Sequence, residues 1–487
     1  MKRKFTKITV CFVCVLLLLT SSFAISADYV DDTTYFRISC TVNGDTQTER
    51  GFSWFTTSKT DTQIKLYIDG VDVTDTVTIS DAECTVFSAY YSHHLTVSDL
   101  TPGTTYTYTV GDGETWSDEG TFTTDDGDDS VSFIVYADVQ ASSVQNFSVA
   151  ANAVLEAFST VSDAEFMINL GDFTNNSTNS EWNYYAEEFD AISLLSTLVP
   201  VAGNHDSSWS WFSTIFNLDT SESVQTLNGV NYSFDYGNIH FTVLNTNDMI
   251  AISDSQLEWL ENDLQSTDKD WKIVLMHKSS YTLGKDGKWP DATYLQETVT
   301  AICEANDVDL VLSGHDHQYL RTNTLSDGEV SEDGTIYVLS GTVGTKRYAI
   351  RPFLLNMFTP EEVIAAMTDQ NTGAYYDGSD FDSVDLSNKG SVFCGVSVNG
   401  DTLEFTAYLV TDETGEVNVI DSFTITKEIG TNVITYTGDN TTDTVTYALN
   451  CVSSAVHLAT YAIGEWLPTF LMNLPDILYS YFVNDIF

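Results

Sequence analysis

Two patterns of hydrophobic and polar residues follow one another along the chain. Up to about residue 125, short runs rich in Thr, Val, Ile and Tyr alternate with turn dipeptides such as Asn43-Gly44 and Pro102-Gly103. Alternating runs bounded by such turns are typical of short β-strands. The stretch from Leu100 to Tyr108 has the Leu, turn and Tyr order of a tyrosine corner. We therefore predict an all-β sandwich at residues 28–125.

The pattern changes near residue 130, after an acidic, turn-rich linker at residues 125–129. Apolar runs of strand length now alternate with stretches of helical spacing, which predicts an α/β layered domain at residues 130–350. The predicted helices cover 144–158 and 181–195, and a further one begins at 256. The predicted strands cover 131–136, 166–170, 198–201, 239–244, 272–276, 308–312 and 335–339.

The rest of the chain divides into three segments. Residues 351–390 are predicted to be an insertion with one helix at 359–366. Residues 391–427 return to strand patterning, with a hairpin signal at Asn399-Gly400, and are expected to complete the α/β domain. Residues 428–487 form an apolar tail, but polar residues such as Asn450 and His457 dilute its longest charge-free run, so no transmembrane span is expected. We expect the tail to dock on the protein itself or on a surface.

The N-terminus has the three parts of a secretory signal peptide at residues 1–27. A basic head at residues 2–4 precedes the apolar run at 10–19, and small residues follow at 22–27. The apolar run is too short to span a bilayer comfortably. We therefore expect a secreted protein, extracellular or held at the cell surface. Two of the remaining cysteines, Cys40 and Cys84, are close enough in sequence to pair, although separate thiols are the stronger expectation.

The charge of the chain excludes one class of partner. The sequence holds 70 acidic and 19 basic residues, a formal net charge of −51. Binding of nucleic acid or anionic lipid depends on Lys and Arg that neutralise phosphates. We therefore expect no binding of nucleic acid.

Five apolar runs end in side chains that can bind metals. In an α/β sheet, sites form outside the carboxyl ends of the strands, so five such ends can direct their side chains into one crevice. Carboxylate, amide and imidazole groups suit transition metals. A glycine before three of the blocks allows the backbone to approach the site closely. The residues are Asp138, Asp172, Asn204, His205, Asp206, His277, His315, Asp316 and His317.

The order of these motifs resembles the calcineurin-like metallophosphoesterase superfamily, and within it the purple acid phosphatases. The segment from His93 to Tyr108 resembles the fibronectin type III-like N-terminal domain of those enzymes, and the similarity extends from about residue 85 to 427. The resemblance implies a fibronectin III-like all-β sandwich followed by an α/β layered metallophosphoesterase domain with β-sheets flanked by helices. It also implies cleavage of phosphate monoesters in small substrates, by a hydroxide that bridges two metal ions.

The resemblance also implies a role for each site residue. Asp172 would bridge the two ions, and Asp138 and His317 would complete one of the two metal sites. His205, steadied by Asp206, would face the phosphoryl group or its leaving oxygen as an acid. The ligands that would complete the other metal site are Asn204, His277 and His315.

Two positions depart from the family pattern. Purple acid phosphatases have a tyrosine ligand three residues after the bridging aspartate, where this chain has Asn175. Many members of the superfamily have a histidine two residues after the first aspartate, where this chain has Gln140, which would offer a weak amide ligand or none. The identity of the two metal ions therefore stays open among Fe, Zn and Mn.

Two other functions are compatible with the sequence. The same metals could serve a phosphodiesterase that acts on nucleotides or phospholipid headgroups. A non-catalytic surface protein that binds through its β-sandwich belongs to a different class. The complete ligand set in all five blocks argues against the non-catalytic function.

Overall fold

The computed structural model describes residues 35–427 and 434–436. Short gaps interrupt the first range at 207–208, 225, 227–228, 248–251, 285–290, 352–353, 357–358, 377–382 and 385–388. The predicted signal peptide at 1–27 lies outside the described residues, as does the tail at 428–487 apart from 434–436. No helix in the described part of the chain is long and apolar enough to cross a membrane.

The N-terminal region is a sandwich of two sheets, as the strand patterning predicts. One sheet has the order β1-β2-β6-β5 and the other β4-β3-β7-β8. Between them lie large buried side chains, including Phe52, Trp54 and Tyr108. Cys40 and Cys84 are free thiols. The strands are β1 (Phe36–Thr41), β2 (Arg50–Thr56), β3 (Gln63–Ile68), β4 (Val71–Asp72), β5 (Thr78–Phe87), β6 (Tyr90–Ser98), β7 (Thr105–Gly111) and β8 (Gly120–Thr123), with a 3₁₀ turn at Thr74–Thr76.

A parallel three-stranded core follows the sandwich. It consists of β9 (Ser130–Tyr136), β10 (Phe166–Asn169) and β11 (Thr197–Pro200), and all three are almost entirely buried. Such strands read as continuous apolar runs because both of their faces are covered. The helices of this part are α1 (Val144–Thr160), α2 (Asn179–Ser193) and α3 (Trp209–Ile215).

A second sheet faces the first. Its central strands run parallel, and Phe241 packs against Phe133 and Phe166 of the first sheet, with ring centroids 5.5 and 5.8 Å apart. The sheet has the order β12-β13-β14-β15-β19-β16-β20-β21-β22, and β17 and β18 form a separate hairpin. Its helices are α4 (Asp254–Ser266), α5 (Asp291–Glu297) and α6 (Val299–Ala305). The strands are β12 (Tyr232–Tyr236), β13 (Ile239–Leu244), β14 (Trp271–Met276), β15 (Leu310–Ser313), β16 (Tyr319–Thr322), β17 (Leu325–Ser326), β18 (Glu329–Val330), β19 (Ile336–Ser340), β20 (Ile364–Thr368), β21 (Ala374–Tyr376) and β22 (Ser383–Val384).

The C-terminal strands extend the first sheet on one side, and the sandwich extends it on the other. Strand β23 pairs antiparallel with β9, while Thr41 of β1 pairs in parallel with Leu198 of β11. The result is an eleven-stranded sheet with the order β26-β25-β24-β23-β9-β10-β11-β1-β2-β6-β5. One continuous sheet therefore joins the N-terminal sandwich to the α/β domain. The last strands are β23 (Gly390–Asn399), β24 (Thr402–Thr411), β25 (Val417–Lys427) and β26 (Ile434–Tyr436).

The helix predicted at residues 359–366 is wrong. A short 3₁₀ turn at Glu361–Val363 leads directly into strand β20. All five residues of β20 are buried, and the strand pairs with both β16 and β21. Pairing on two sides outweighs the helix propensity of residues such as Ala and Met, because propensity differences amount to only a few tenths of a kcal/mol, or about 0.7 at most, per residue. Part of the predicted insertion at 351–390 is thus built into the second sheet.

Candidate metal centre

The predicted ligands meet where the two sheets face each other. Each ligand block follows its strand by one to four residues, after β9, β10 and β11 of the first sheet and after β14 and β15 of the second. These strands are parallel within their sheets, so their carboxyl ends lie together. The topology therefore gathers residues that are up to 179 positions apart, from Asp138 to His317.

Two groups of ligand atoms form and share one carboxylate. In the first group, one ligand atom each of Asp172, His277 and His315 lies within 4.8 Å of the others. In the second, the same holds for Asp138, Asp172 and His317. Asp172 is buried and belongs to both groups, which is the position that a bridging ligand requires.

Asn204 and His205 occupy the open side of the first group. Asn204 is exposed, and its Oδ1 lies 3.1 Å from Nε2 of His277. The backbone N–H of His205 donates to Asp172 Oδ1 at 2.9 Å, and its ring Nδ1 lies 2.5 Å from the carbonyl oxygen of Asn175. A carbonyl oxygen only accepts, so Nδ1 carries the hydrogen, and Nε2 is the ring nitrogen that this bond leaves unused.

Asp206 has contacts different from those that the family resemblance implies. Its Oδ2 accepts hydrogen bonds from the backbone N–H groups of Asp172 and Gly203, and its Oδ1 accepts one from Phe173, each at 2.8 Å. The His205 ring is held by Asn175 instead. Asp206 thus ties the turn after β10 to the turn after β11, and it acts on the site by positioning backbone.

The turns that carry the ligands have unusual backbone conformations. Asp138, Asp172, His315 and His317 have positive φ angles of 56, 57, 81 and 45°. Residues with side chains rarely occupy this left-handed region, and such strain collects at functional sites. The strained turns direct several side chains from neighbouring strand ends into one small volume.

Glycines make the close approach of these turns feasible. A Cβ atom at Gly203 would lie 2.1 Å from the backbone nitrogen of Asp172, and one at Gly171 would lie 2.6 Å from Nδ1 of His277. A Cβ at Gly314 would lie 2.8 Å from Asp138 Oδ2. Each of these glycines therefore leaves room for a ligand or its backbone.

Backbone carbonyls orient two of the histidines. His277 Nδ1 donates to the carbonyl oxygen of Leu170 at 2.8 Å, and His317 Nδ1 donates to that of Lys346. In both rings Nε2 is then the nitrogen that remains to bind a metal ion in place of a proton. Such hydrogen bonds fix the tautomer of metal-binding histidines.

The titrating groups of the first cluster shift one another. Burial alone would raise the pKa of Asp172, but the imidazoles of His277 and His205 outweigh burial and hold that pKa well below its ordinary value. Burial alone would lower the pKa of His277, but the carboxylates of Asp172 and Asp138 raise it to about 9. Burial and the neighbouring His277 and Lys278 cations hold the pKa of His315 well below 6.5. The cluster thus concentrates opposite charges in a buried volume.

The residues of the second group fit a metal ion. Asp138 Oδ1 and His317 Nε2 are 3.4 Å apart, and neither has a hydrogen-bond partner among the residues that the structure describes. A buried polar atom without a partner is destabilising by about 1–3 kcal/mol, so two of them side by side require an explanation. A cation that accepts both lone pairs supplies one, and carboxylate and imidazole ligands suit transition metals.

Sequence reasoning missed several groups that support the site. The carbonyls of Leu170 and Lys346 give no sequence signal, because every residue has a carbonyl. The Tyr348 ring stacks on His317 with centroids 4.3 Å apart and planes 8° from parallel. Asp316 accepts a hydrogen bond from Thr282 Oγ1 at 2.5 Å and so holds the loop after β14. The position of Asp316 between two ligand histidines was the only available signal for its role.

Comparison with known proteins agrees with this geometry. Residues 131–319 match the family model of the calcineurin-like phosphoesterases, and residues 35–124 match that of the purple acid phosphatase N-terminal domain. The solved structure of PhoD has a similar fold, with a TM-score of 0.58 and 12% sequence identity over 85% of this chain and 94% of that one.

Two plant proteins illustrate the relationship. Purple acid phosphatase 15 of Arabidopsis thaliana is 26% identical over 34% of this chain and 32% of its own length. Purple acid phosphatase 21 of the same plant is 22% identical over 52% of this chain and 58% of its own length. The chain thus spans between a third and three-fifths of the length of these relatives. The chain therefore has a calcineurin-like phosphoesterase domain behind a purple acid phosphatase N-terminal domain, and its relatives include purple acid phosphatases.

Proposed function

We propose that the protein is a secreted hydrolase that cleaves phosphate monoesters with the help of two metal ions. The observation that carries this proposal is the position of Asp172, whose carboxylate belongs to both groups of ligand atoms. Two ions that share one ligand lie close enough to act on one phosphoryl group.

The residues of each group would hold one ion. When bound, such ions supply positive charge for the phosphoryl oxygens and lower the pKa of a water molecule. Surface charge does not oppose this, because charges beyond about 8–10 Å are screened at physiological salt. The proposed ligands of one ion are Asp138, Asp172 and His317, and those of the other are Asp172, Asn204, His277 and His315.

His205 is the proposed general acid. It is partly exposed beside Asp172, so its ring can reach both the site and solvent. Because Nδ1 is engaged by the Asn175 carbonyl, the proton for the leaving oxygen would come from Nε2. Asp206 supports this step indirectly, since it fixes the turns on which Asp172 and His205 lie.

The preference for monoesters and the export of the protein rest on separate support. The preference for monoesters is supported by the names of two relatives, which are both called phosphatases. Export rests on the basic head and apolar run at residues 1–27. Expression of the full chain in a secreting host, followed by N-terminal sequencing of protein from the medium, tests export. A mature protein that begins near Asp28 would support it, and retention of the intact N-terminus inside the cell would contradict it.

The activity is tested with the purified chain loaded with Mn²⁺, Zn²⁺ or iron. We expect faster turnover of an aryl phosphate monoester than of the corresponding diester. Asp172→Ala should lower both rates by at least about 100-fold, because it removes the ligand shared by both ions. Asp268→Ala is the matched control, since Asp268 is exposed in the turn before β14, at the opposite end of that strand from His277.

Each outcome of this experiment separates the alternatives. Faster turnover of the diester would favour a phosphodiesterase. Purified protein that binds no metal and hydrolyses neither ester would favour a non-catalytic binding protein. Loss of less than about tenfold in Asp172→Ala would contradict the two-metal mechanism, because a bridging ligand positions both ions.

A further inference from the structure

Strand β13 supplies none of the proposed metal ligands, although its carboxyl end lies at the metal centre. It runs parallel to β14, and its last residue, Leu244, pairs with Met276, the residue before His277. The carboxyl ends of parallel strands share one edge of a sheet. Residues 245–247, which follow β13, therefore lie at the same edge as His277, and all three are buried.

Two of these residues contact the turns that carry ligands. Thr246 Oγ1 accepts a hydrogen bond at 2.9 Å from the backbone N–H of the residue that follows His277. Asn247 Nδ2 donates to the carbonyl oxygen of Ala202, two residues before Asn204. The side chains of Asn204 and His277 themselves lie 3.1 Å apart. The end of β13 thus joins a turn of the second sheet to a turn of the first sheet, at the point where two ligands of one ion meet.

The turn that carries Asn204 is held mainly by hydrogen bonds to its backbone. In the peptide between Ala202 and Gly203, the carbonyl oxygen accepts from Asn247, and the N–H donates to Asp206 Oδ2 at 2.8 Å. Gly203 has no side chain, and glycine restricts the backbone less than any other residue. Asn204 itself is exposed, so packing contributes little to its position. The direction of the Asn204 side chain therefore depends on how this peptide is held.

Asn247 is itself fixed by a helix behind it. Its backbone N–H donates to Asn245 Oδ1 at 3.1 Å. Gln256 of helix α4 binds both backbone groups of Asn245, since Oε1 accepts from the N–H at 2.9 Å and Nε2 donates to the carbonyl oxygen at 3.0 Å. Three carboxamides in sequence therefore connect α4 to the Ala202 carbonyl. Residues that support a metal site orient its ligands best when further hydrogen bonds fix their own positions.

We propose that Asn247 is a positioning residue of the metal centre, because it fixes the turn that carries Asn204. This inference rests on the two-metal centre of the proposed function. Through Asn204, the residue would set the affinity of the ion in the first ligand group, that of His277 and His315. The ion of the second group would depend on it much less, since Asn204 is not among the proposed ligands of that ion.

The test measures metal binding without any assay of hydrolysis. The full chain is stripped with a chelator and titrated with Mn²⁺. Isothermal titration calorimetry gives the affinities, and elemental analysis counts the bound ions per chain. We expect Asn247→Ala to weaken one of two Mn²⁺ ions by about 10- to 100-fold, the range seen when groups that support a metal site are lost. The other ion should be bound nearly as tightly as in the wild type, and wild-type affinity for both ions would overturn the proposal.

Asn238→Ala is the matched control, because Asn238 precedes β13 and so lies at the opposite end of that strand from Asn247. The two side chains are 6% and 7% exposed, and each Oδ1 is buried without a partner in the described part of the chain. Each Nδ2 donates to a backbone carbonyl oxygen, that of Gly400 for Asn238. We expect both variants to have a lower melting temperature without metal, and only Asn247→Ala to bind Mn²⁺ more weakly. Equal weakening in the two variants would overturn the proposal, because the effect would then reflect general loosening of the fold.

A double variant separates positioning from a purely structural role. Asn204→Ala removes the amide that Asn247 is proposed to position, so it should weaken the same ion. Adding Asn247→Ala to Asn204→Ala should then weaken that ion no further, because residues that act through one another are not additive. A fully additive loss of Mn²⁺ affinity in the double variant would overturn the proposal.

Asn247→Leu keeps the experiment decisive if Asn247→Ala fails to fold. Leucine has the branched shape of asparagine and no N–H to donate, so we expect the same weakening of one ion. Two ions bound as tightly in the folded Asn247→Leu variant as in the wild type would refute the role of Asn247 alone. No bound ion in the wild type would instead refute the proposed function.

Discussion

Two clusters among the described residues combine a buried histidine with aspartates, and they differ in one respect. In the cluster around His240, Nδ1 lies 2.7 Å from Asp235 Oδ1 and Nε2 lies 3.0 Å from Asp263 Oδ2, so both ring nitrogens have carboxylate partners. In the metal centre, Asp138 Oδ1 and His317 Nε2 lie 3.4 Å apart, and neither atom has a hydrogen-bond partner in the described residues. The residue types are the same, and only the completeness of the hydrogen bonding differs.

This difference separates a structural cluster from a ligand site. Asp263 also accepts hydrogen bonds from Thr242 and Ser233, so it ties helix α4 to strands β12 and β13. Every contact of the His240 cluster is made within the protein, and a metal would have to break them. The metal centre instead keeps lone pairs that the protein leaves unused. Residue type alone does not distinguish the two clusters, but unsatisfied donor atoms do.

Replacing a histidine of the metal centre should lower activity far more than replacing His240. His277→Gln should lower kcat/KM for an aryl phosphate by at least about 100-fold, because it removes an imidazole ligand. His240→Gln should leave kcat/KM near that of the wild type and lower the free energy of unfolding. Steady-state kinetics and urea unfolding of both variants measure the two effects. Equal losses of activity in the two folded variants would show that the clusters do not differ in role.

A second experiment concerns a satisfied carboxylate inside the metal motif. Asp206 accepts three backbone hydrogen bonds, and an asparagine has one acceptor oxygen and an NH₂ group that would face an N–H donor. We expect Asp206→Asn to reduce the free energy of unfolding by about 2–4 kcal/mol. Asp219→Asn, at an exposed loop residue, is the control. Urea unfolding of the metal-free proteins measures the free energy of unfolding of each variant. Unchanged stability in Asp206→Asn would contradict a positioning role for Asp206.

The ligand blocks are predictable from the sequence, whereas the contacts of Asp206 and His240 are not. The ligand blocks were predictable because each follows a buried apolar strand, as Asp138 follows β9 and His277 follows β14. The contacts of Asp206 were not, since its partners are backbone N–H groups from two turns whose approach depends on the packed sheets. His240 gave no signal, because its partners Asp235 and Asp263 lie on different elements.

The fold shows the same division between local and long-range information. Strands such as β9 and β13 were predictable from continuous apolar runs. Strand β20 was read as a helix because its pairing with β16 is invisible in its own sequence. The continuous sheet across the sandwich and the α/β domain depends on a single parallel pair, Thr41 with Leu198, and no local pattern specifies that pair.

The His240 cluster should make stability depend on pH. Burial alone would lower the pKa of His240, but its hydrogen bonds to Asp235 and Asp263 raise that pKa to about 9. A pKa raised on folding stabilises the protein fully below about pH 6.5, and this stabilisation is lost as the pH rises through about 9. The Nζ of Lys269 also lies near this cluster, 3.7 Å from Asp235 Oδ2.

We expect the difference in free energy of unfolding between the wild type and His240→Gln to be about 2–3 kcal/mol larger at pH 6 than at pH 10. The full pKa shift would give a larger value, but solvent screens the charge of Asp235, which is half exposed. Urea unfolding of both proteins at the two pH values measures this difference. A difference that does not change with pH would mean that the pKa of His240 is the same in the folded and the unfolded protein, so that its carboxylate partners do not favour the imidazolium.

A buried histidine of the N-terminal sandwich, His93, has full hydrogen bonding without any carboxylate. His93 stacks on Trp54 with centroids 5.2 Å apart, and its ring nitrogens lie 2.9 Å from Thr56 Oγ1 and 2.8 Å from Thr62 Oγ1. Burial, with a smaller effect from the neighbouring His94, lowers the pKa of His93 to about 4. Its partners are neutral hydroxyls, so nothing compensates for a buried imidazolium.

The sign of its pH dependence is therefore opposite to that of His240. A pKa lowered on folding leaves stability intact above about pH 6.5, and stability falls as the pH drops towards 4, because the unfolded chain then binds the proton more tightly.

Between pH 7 and pH 5.5 we expect His93 to account for a loss of about 1 kcal/mol. In His93→Gln, whose amide can bond to both threonine hydroxyls, this part of the loss should disappear even though the lost ring stacking lowers stability at every pH. Urea unfolding of both proteins at the two pH values measures this effect. Subtracting the variant's free energy of unfolding from that of the wild type removes the contribution of the many carboxylates, which titrate in both proteins. A variant that keeps the full acid sensitivity of the wild type would mean that the pKa of His93 does not fall on folding, and the threonine hydroxyls would then stabilise the buried imidazolium as well as water does.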